Sequence, residues 1–224
     1  MKDFKIIEVK QSVFADNDAD AERLRQQLKE EKTFLLNLMS SPGAGKTTTL
    51  KRTIDMLAGE MKIGVMEADI DSDVDARAIS ETGARTIQLH TGGMCHLDAD
   101  MTRQGVTEIG ANDLDLVVLE NVGNLVCPAE FDTGSVKNAM ILSVPEGDDK
   151  PLKYPLMFQI SDVVLINKCD TLSVFDDFDT EAVRERIHKL NPKAEIFFVS
   201  AKTGEGFEDW TDWLRCEVND WRNE

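Results

Sequence analysis

The amino-acid sequence predicts an α/β domain of three layers, with a mostly parallel central sheet flanked by helices. From residue 34 onward, short apolar runs alternate with longer amphipathic segments, which is typical of strands joined by crossover helices. Several short runs are continuously apolar, for example residues 116–119, as expected for strands that are covered on both faces. A glycine-rich loop between the first run and the first helical segment is the third observation.

The predicted strands are short and rich in aliphatic residues. They cover residues 34–39, 63–67, 86–89, 116–120, 139–143, 163–167 and 196–200. The predicted helices carry apolar residues at helical spacing and cover residues 47–58, 74–82, 97–110, 181–190 and 207–221. Residues 146–155 interrupt this periodicity, so we interpret them as a functional or connecting loop.

The first 33 residues differ from the rest of the chain. Residues 13–31 predict a polar helix with few apolar positions, which either packs on the domain edge, mediates self-association or remains solvated. We therefore separate an N-terminal segment, residues 1–33, from a single domain, residues 34–224. The total of 224 residues suits one domain with small additions.

Composition excludes several classes of partner. The chain has 42 Asp and Glu against 25 Lys and Arg, a formal net charge of −17, which argues against nucleic-acid binding and against docking on anionic membranes. The sequence has no apolar run near the roughly 18 residues of a spanning helix and no signal-peptide pattern, so we expect a cytoplasmic protein. Four cysteines in this context do not predict a disulfide framework.

The glycine-rich loop, residues 40–48 (SSPGAGKTT), matches the P-loop pattern and predicts a P-loop NTPase fold. Its glycines, Gly43 and Gly45, let backbone amides face phosphate oxygens; Ala44 and Thr48 complete the phosphate-binding turn. Lys46 supplies charge at the β- and γ-phosphates, and the Thr47 hydroxyl is a ligand for Mg²⁺; we assign both to the catalytic machinery. Ser40 replaces the usual first glycine, which we expect to cost modest backbone strain.

Two further motifs predict that the base is guanine. They follow two late strands and read Asn167-Lys168-Cys169-Asp170 and Ser200-Ala201-Lys202. The Asp170 carboxylate can accept hydrogen bonds from the ring N–H and the exocyclic amine of guanine, a pair that adenine does not offer. We therefore expect GTP and GDP as the nucleotides.

Acidic residues at two strand ends predict the magnesium site. Asp69 ends the second strand, and Glu120 stands where GTPases often carry aspartate; both are candidate Mg²⁺ ligands beside Thr47. Gly123 is the expected sensor of the γ-phosphate through its backbone N–H. Asp75, or another acid of the same loop, is the candidate that orients the attacking water.

A second kind of metal site is predicted by soft ligands. Cys95, His96 and Cys127 suit Zn²⁺, Ni²⁺ or Cu rather than Mg²⁺, and a two-fold dimer would complete their coordination. We place Cys95 at a helix N-terminus and expect a lowered thiol pKa there. The alternative is that these cysteines are small buried apolar residues.

The remaining cysteines and histidines have simpler interpretations. Cys169 and Cys216 are expected to be packing residues. His90 is a weak or indirect metal group or a structural histidine, the second being favoured, and His188 is a helix-surface residue.

Taken together, these motifs resemble the HypB family of hydrogenase maturation GTPases, in the SIMIBI class of P-loop proteins. The resemblance rests on SPGAGKTT, EADIDSDVDAR, GGMCHLDA, ENVGNLVCPAEFD, PEGDDKPLKYP, INKCD and SAKTGEG. It implies a metallochaperone that hydrolyses GTP slowly and forms a homodimer favoured by GTP. It also implies nickel transfer, with a small zinc-containing partner protein, toward the large subunit of [NiFe]-hydrogenase.

The resemblance also implies two features of the dimer. The interface metal site corresponds to Cys95, His96 and Cys127, and Lys153 reaches the nucleotide of the opposite subunit. Residues 1–33 lack the cysteines and histidines that some members carry, so no additional N-terminal nickel site is expected.

Two alternatives remain open. One is a urease-type nickel accessory GTPase, which would carry Cys-Pro-His where this chain has Cys127-Pro128-Ala129. The other is a nucleotide-dependent metal-binding module in which hydrolysis is incidental.

Overall fold

The computed structural model describes residues 5–8, 17–69 and 74–224 and shows one sheet of eight strands. The strands are β1 (Lys5–Glu8), β2 (Phe34–Ser40), β3 (Ile63–Asp69), β4 (Arg85–His90), β5 (Leu116–Glu120), β6 (Lys137–Ser143), β7 (Val163–Asn167) and β8 (Glu195–Phe198). Their order is β1-β4-β3-β5-β2-β6-β7-β8, and every neighbouring pair is parallel.

Helices cover both faces of this sheet. The helices of the described part are α1 (Asn17–Glu31), α2 (Lys46–Leu57), α3 (Val74–Ser80), α4 (Ala99–Ile109), α5 (Cys127–Glu130), α6 (Lys150–Lys153), α7 (Pro155–Ile160), α8 (Thr180–Leu190) and α9 (Phe207–Asn223). Apolar residues of α2, α3 and α9 share one core with alternate residues of β2, such as Leu36. Apolar residues of α1 and α4 form a second cluster with Leu35 of β2. Those of α7 and α8 form a third cluster with Met39 of the same strand. The predicted three-layer α/β fold is confirmed.

The core strands form where the sequence is continuously apolar. Every residue of β2, β5 and β7 is buried, because each strand is hydrogen-bonded on both sides and covered by helices above and below. Since all strands run in parallel, their carboxyl ends lie at one edge of the sheet. The P-loop and the base motifs follow β2, β7 and β8 at that edge.

The structure differs from the predicted elements mainly in short segments. Strand β1 and helices α5 to α7 were not predicted, because four to six residues are too few to show a period. Part of the loop predicted at residues 146–155 is helical, and proline occupies the first turn of α5, α6 and α7. Strand β8 ends at Phe198 rather than at residue 200.

The polar helix predicted near the N-terminus is present as α1 and is packed rather than solvated. Its residues Ala21, Leu24 and Leu28 are fully buried, and the two leucines share a cluster with Met101 of α4. A stripe of three apolar residues thus fixes an otherwise charged helix. Within the described ranges, no helix combines the length and apolar composition needed to cross a bilayer.

Candidate nucleotide and metal site

The P-loop turns sharply between β2 and α2. Gly43 and Gly45 adopt φ of 79° and 95°, in the left-handed region that disfavours side chains. Ser40 instead ends β2 in register with Ile141 and has no positive φ. The strain expected from the missing glycine is therefore wrong, because this position needs only extended backbone.

The loop borders a cavity of about 520 Å³. Lys46 and Thr47 begin α2 and line this cavity with Asp75 of α3 and with Gly123. A Cβ at Gly123 would lie 3.3 Å from Cγ of Pro42, so this segment lies directly against the P-loop. Thr48 lines the cavity as predicted, and three residues that the sequence analysis did not single out also contribute to its wall: Ser41, Pro42 and Val122.

Glu120 contacts the first two residues of α2 and is only 1% exposed. Its Oε1 accepts a hydrogen bond of 3.0 Å from Thr47 Oγ1 and lies 3.5 Å from Lys46 Nζ. Burial raises the pKa of the Glu120 carboxyl, while Lys46 and Thr47 oppose that rise. Its other oxygen, Oε2, is buried and has no hydrogen-bond partner among the described residues.

Asp69 is the one predicted magnesium ligand whose side chain the structure does not describe. Its backbone ends β3, in register with His90, and residues 70–73 lie outside the described ranges. The assignment of Asp69 to Mg²⁺ therefore stays a prediction.

A second cavity of about 230 Å³ adjoins the first, because Gly45 and Thr48 line both. Its other lining residues come from the two base motifs and the residue after one of them: Asn167, Lys168, Asp170, Thr171, Ser200, Ala201 and Lys202. Asn167 joins the loops, since its Nδ2 donates to the Ala44 carbonyl at 2.9 Å and its Oδ1 accepts from the Ala201 amide at 3.2 Å.

Asp170 is held from the neighbouring loop. The Ser200 hydroxyl donates to Asp170 Oδ1 at 2.7 Å. The Lys168 ammonium donates to the Gly43 carbonyl at 2.8 Å. Lys168 itself has a left-handed backbone, with φ of 62°. The two base motifs and the P-loop thus form one hydrogen-bonded unit, although the P-loop precedes both motifs by more than 100 residues in the chain.

Lys153 lies outside both cavities of its own chain. It is on α6, its side chain is 59% exposed, and it forms an ion pair of 2.6 Å with Asp149. Its role toward a nucleotide of another subunit stays a prediction.

The two cysteines of the predicted soft-metal site lie close enough to interact. The pKa of Cys95 is raised, chiefly by the neighbouring thiol of Cys127. The expected lowering is wrong, because α4 begins at Ala99, four residues beyond the thiol.

His96 does not complete a cluster with the two thiols. Among the described residues, no three His, Cys, Asp or Glu side chains are grouped so as to hold a metal ion. The His96 ring stacks on Phe131 at 3.7 Å between centroids, and burial lowers its pKa. Its Nε2 is buried and finds no hydrogen-bond partner in the part of the chain that the structure describes.

The other cysteines and histidines are placed as follows. Cys169 is buried, as predicted, and its pKa is raised to about 11, mainly by desolvation. Cys216 is exposed on α9, so its interpretation as a packing residue is wrong. His188 is exposed on α8 as predicted, and His90 has a buried Nε2 at the end of β4.

A glycine-rich loop at the end of a buried parallel strand, a helix starting with Lys-Thr and two adjoining cavities define a P-loop nucleotide-binding protein. A family profile described as "CobW/HypB/UreG, nucleotide-binding domain" matches residues 34–198.

Comparison with individual proteins is more specific. Hydrogenase maturation factor HypB of Rhizobium leguminosarum bv. viciae is 44% identical over 97% of this chain and 73% of the relative. Hydrogenase/urease maturation factor HypB of Helicobacter pylori is 40% identical over 95% of this chain and 87% of the relative. The crystal structure of H. pylori HypB in complex with nickel has a TM-score of 0.85 and 39% identity, covering 92% of this chain and 96% of that one. The chain belongs to the HypB family of hydrogenase maturation factors.

Proposed function

We propose that the protein is a GTPase that couples its nucleotide state and dimerisation to nickel delivery during [NiFe]-hydrogenase maturation. The observation that carries this proposal is the pair of adjoining cavities: Lys46 and Thr47, which Glu120 contacts, line the phosphate end, and Asp170 lines the base end. A nucleotide has the same two-part chemistry, an anionic tail and a hydrogen-bonding base.

Guanine selection is assigned to Asp170, which Ser200 orients. The Asp170→Asn variant should bind GTP about a hundredfold or more weakly, because two hydrogen bonds to a charged acceptor are lost. It should gain affinity for xanthosine triphosphate, whose carbonyl replaces the guanine amine and accepts from the new amide. Titration with both nucleotides measures this. The control is Asp177→Asn, an exposed acid outside the cavity. Unchanged selectivity would show that the base is read elsewhere.

The phosphate end suits Mg²⁺: the Thr47 hydroxyl donates to Glu120 Oε1, and the buried Oε2 finds no hydrogen-bond partner among the described residues. We assign the ion to Thr47, Glu120 and Asp69; when bound, it neutralises phosphate charge. Lys46 and the P-loop amides hold the phosphates, and the Gly123 amide faces the γ-phosphate.

Asp75 orients the attacking water, so Asp75→Asn should lower the rate of GTP hydrolysis with little change in GTP affinity. An unchanged single-turnover rate would reject that role.

The nickel cargo is assigned to Cys95, Cys127 and His96. Thiolates and a neutral imidazole are suitable ligands for Ni²⁺ or Zn²⁺, and the H. pylori relative was solved with nickel. A second subunit would complete the coordination, with Lys153 reaching across to its nucleotide. Cys127 lies four residues beyond Gly123, so movement at the γ-phosphate can reach the ligand.

The coupling of nucleotide state to nickel binding and dimerisation is tested by titrating the GTP-bound and GDP-bound protein with Ni²⁺ and measuring the molecular mass of each form in solution. We expect the two forms to differ in Ni²⁺ affinity and GTP to favour the dimer. Equal Ni²⁺ affinities and equal molecular masses would reject the coupling. The expected recipients are a small zinc-containing maturation protein and, through it, the hydrogenase large subunit. Delivery to urease is a second candidate, because the H. pylori relative is named for both enzymes. To distinguish these two recipients, the nickel-loaded protein is incubated with nickel-free hydrogenase or nickel-free urease, and the nickel content of each enzyme is then measured.

A further inference from the structure

Helix α1 contacts both segments that carry the candidate nickel ligands. Its first residue, Asn17, uses both atoms of its side-chain amide: Oδ1 accepts from the Ala99 amide at 2.9 Å, and Nδ2 donates to the Asp132 carbonyl at 3.0 Å. Ala99 lies three residues after His96, and Asp132 lies five residues after Cys127. One side chain therefore links the two segments.

Arg25, two turns further along the helix, makes a second link. Its Nε donates to the Ser135 carbonyl at 3.0 Å, and its guanidinium pairs with the Asp132 carboxylate. That carboxylate also accepts from the Gly134 amide at 2.9 Å. A Cβ at Gly134 would lie 2.8 Å from Leu24 Cδ2, so the turn after Cys127 lies directly against the helix.

The two ligand-bearing segments have little regular structure of their own. Cys95 lies between β4 and α4, and Cys127 begins α5, which has only four residues. Such segments open at low free energy unless neighbouring elements hold them. The links from α1 belong to a helix of fifteen residues that is anchored in the core by Leu24 and Leu28.

We infer that Asn17 and Arg25 are positioning residues for the metal site: they fix the Cys95–His96 and Cys127 segments relative to each other and so set the affinity for Ni²⁺. The inference rests on the proposed assignment of those cysteines as ligands. The hydrogen bonds of Asn17 and Arg25 reach these segments through Ala99, Asp132 and Ser135 rather than through the candidate ligands themselves. Residues that orient ligands in this indirect way typically change metal affinity by about 10–100-fold.

The test compares the full-length GDP-bound protein with the variants Asn17→Ala, Arg25→Ala and the double variant. The matched control is Gln27→Ala, on the same helix, whose side chain donates to Glu31 of that helix. We expect the double variant to bind Ni²⁺ about tenfold or more weakly and to show a changed thiolate-to-nickel charge-transfer band. GDP affinity should equal that of the control. Ni²⁺ affinity and band equal to those of Gln27→Ala would overturn the inference.

Two further variants separate the positioning role from loss of folding and from the ligand assignment itself. Arg25→Lys retains the charge opposite Asp132 but loses the Nε donor, so Ni²⁺ affinity should be restored in part. If the double variant loses GDP binding, the Ni²⁺ affinity of Asn17→Ala alone decides the question, because this change removes only two hydrogen bonds.

The variant Cys95→Ala/Cys127→Ala tests the ligand assignment on which the inference rests: retained Ni²⁺ binding by this variant rejects the metal site. Loss there, with unchanged affinity in the Asn17 and Arg25 variants, rejects the positioning role alone.

Discussion

Replacing Gly45 by alanine should break the connection between the phosphate and base ends of the cavity. Gly45 has φ of 95°, and a Cβ there would lie 2.5 Å from Nδ2 of Asn167. Asn167 hydrogen-bonds to the Ala44 carbonyl and the Ala201 amide. The new methyl group must therefore displace the side chain that joins the P-loop to the loop after β8.

The size of the effect follows from comparison with Gly43, which has φ of 79° and open space at the Cβ position. Alanine at Gly43 should cost only backbone strain, about 1–2 kcal/mol. Alanine at Gly45 should cost the same strain plus two hydrogen bonds of about 0.5–1.5 kcal/mol each. The difference, about 1–3 kcal/mol, corresponds to a Tm lower by about 2–12 °C for a domain of this size.

Chemical denaturation of the nucleotide-free protein measures both free energies of unfolding. A third comparison places Gly45→Ala in an Asn167→Ala background, where the hydrogen bonds are already lost and the clash is removed. The excess over Gly43→Ala should then disappear. Equal destabilisation by the two glycine variants, or an excess that persists without Asn167, would refute this reasoning.

Two other predictions concern the core and the thiols. Leu28→Ala should lower the free energy of unfolding by about 2–5 kcal/mol, because Leu28 is fully buried in α1. The matched Leu152→Ala, at a side chain 64% exposed, should change it by less than about 0.5 kcal/mol; similar losses would contradict the burial of α1. At pH 8, Cys169 with a pKa of about 11 has roughly a hundredfold less thiolate than an ordinary thiol. Iodoacetamide should therefore label exposed Cys216 first, and the Cys169 rate should rise toward pH 11; comparable rates at pH 8 contradict this.

The local pattern of the chain was enough to predict the sheet, its main helices and the nucleotide motifs. Strands such as β5 and β7 are continuous apolar runs, and the P-loop needs particular residue types at fixed spacing. The same pattern could not reveal α5 to α7 or β1, whose few residues show no period. It also misplaced the start of α4, and with it the pKa of Cys95.

The amino-acid pattern alone thus predicts the chemical groups: a phosphate loop, a candidate guanine-reading carboxylate and three candidate soft metal ligands. How these groups are arranged in space depends on the packing of the folded chain. That packing placed Glu120 against Thr47, joined the loops through Asn167, stacked His96 on Phe131, and set Asn17 across the two cysteine segments. The physical reason is that most of these contacts join residues that are 30 to more than 100 positions apart. Their geometry depends on how the strands and helices pack, which no short stretch of sequence contains.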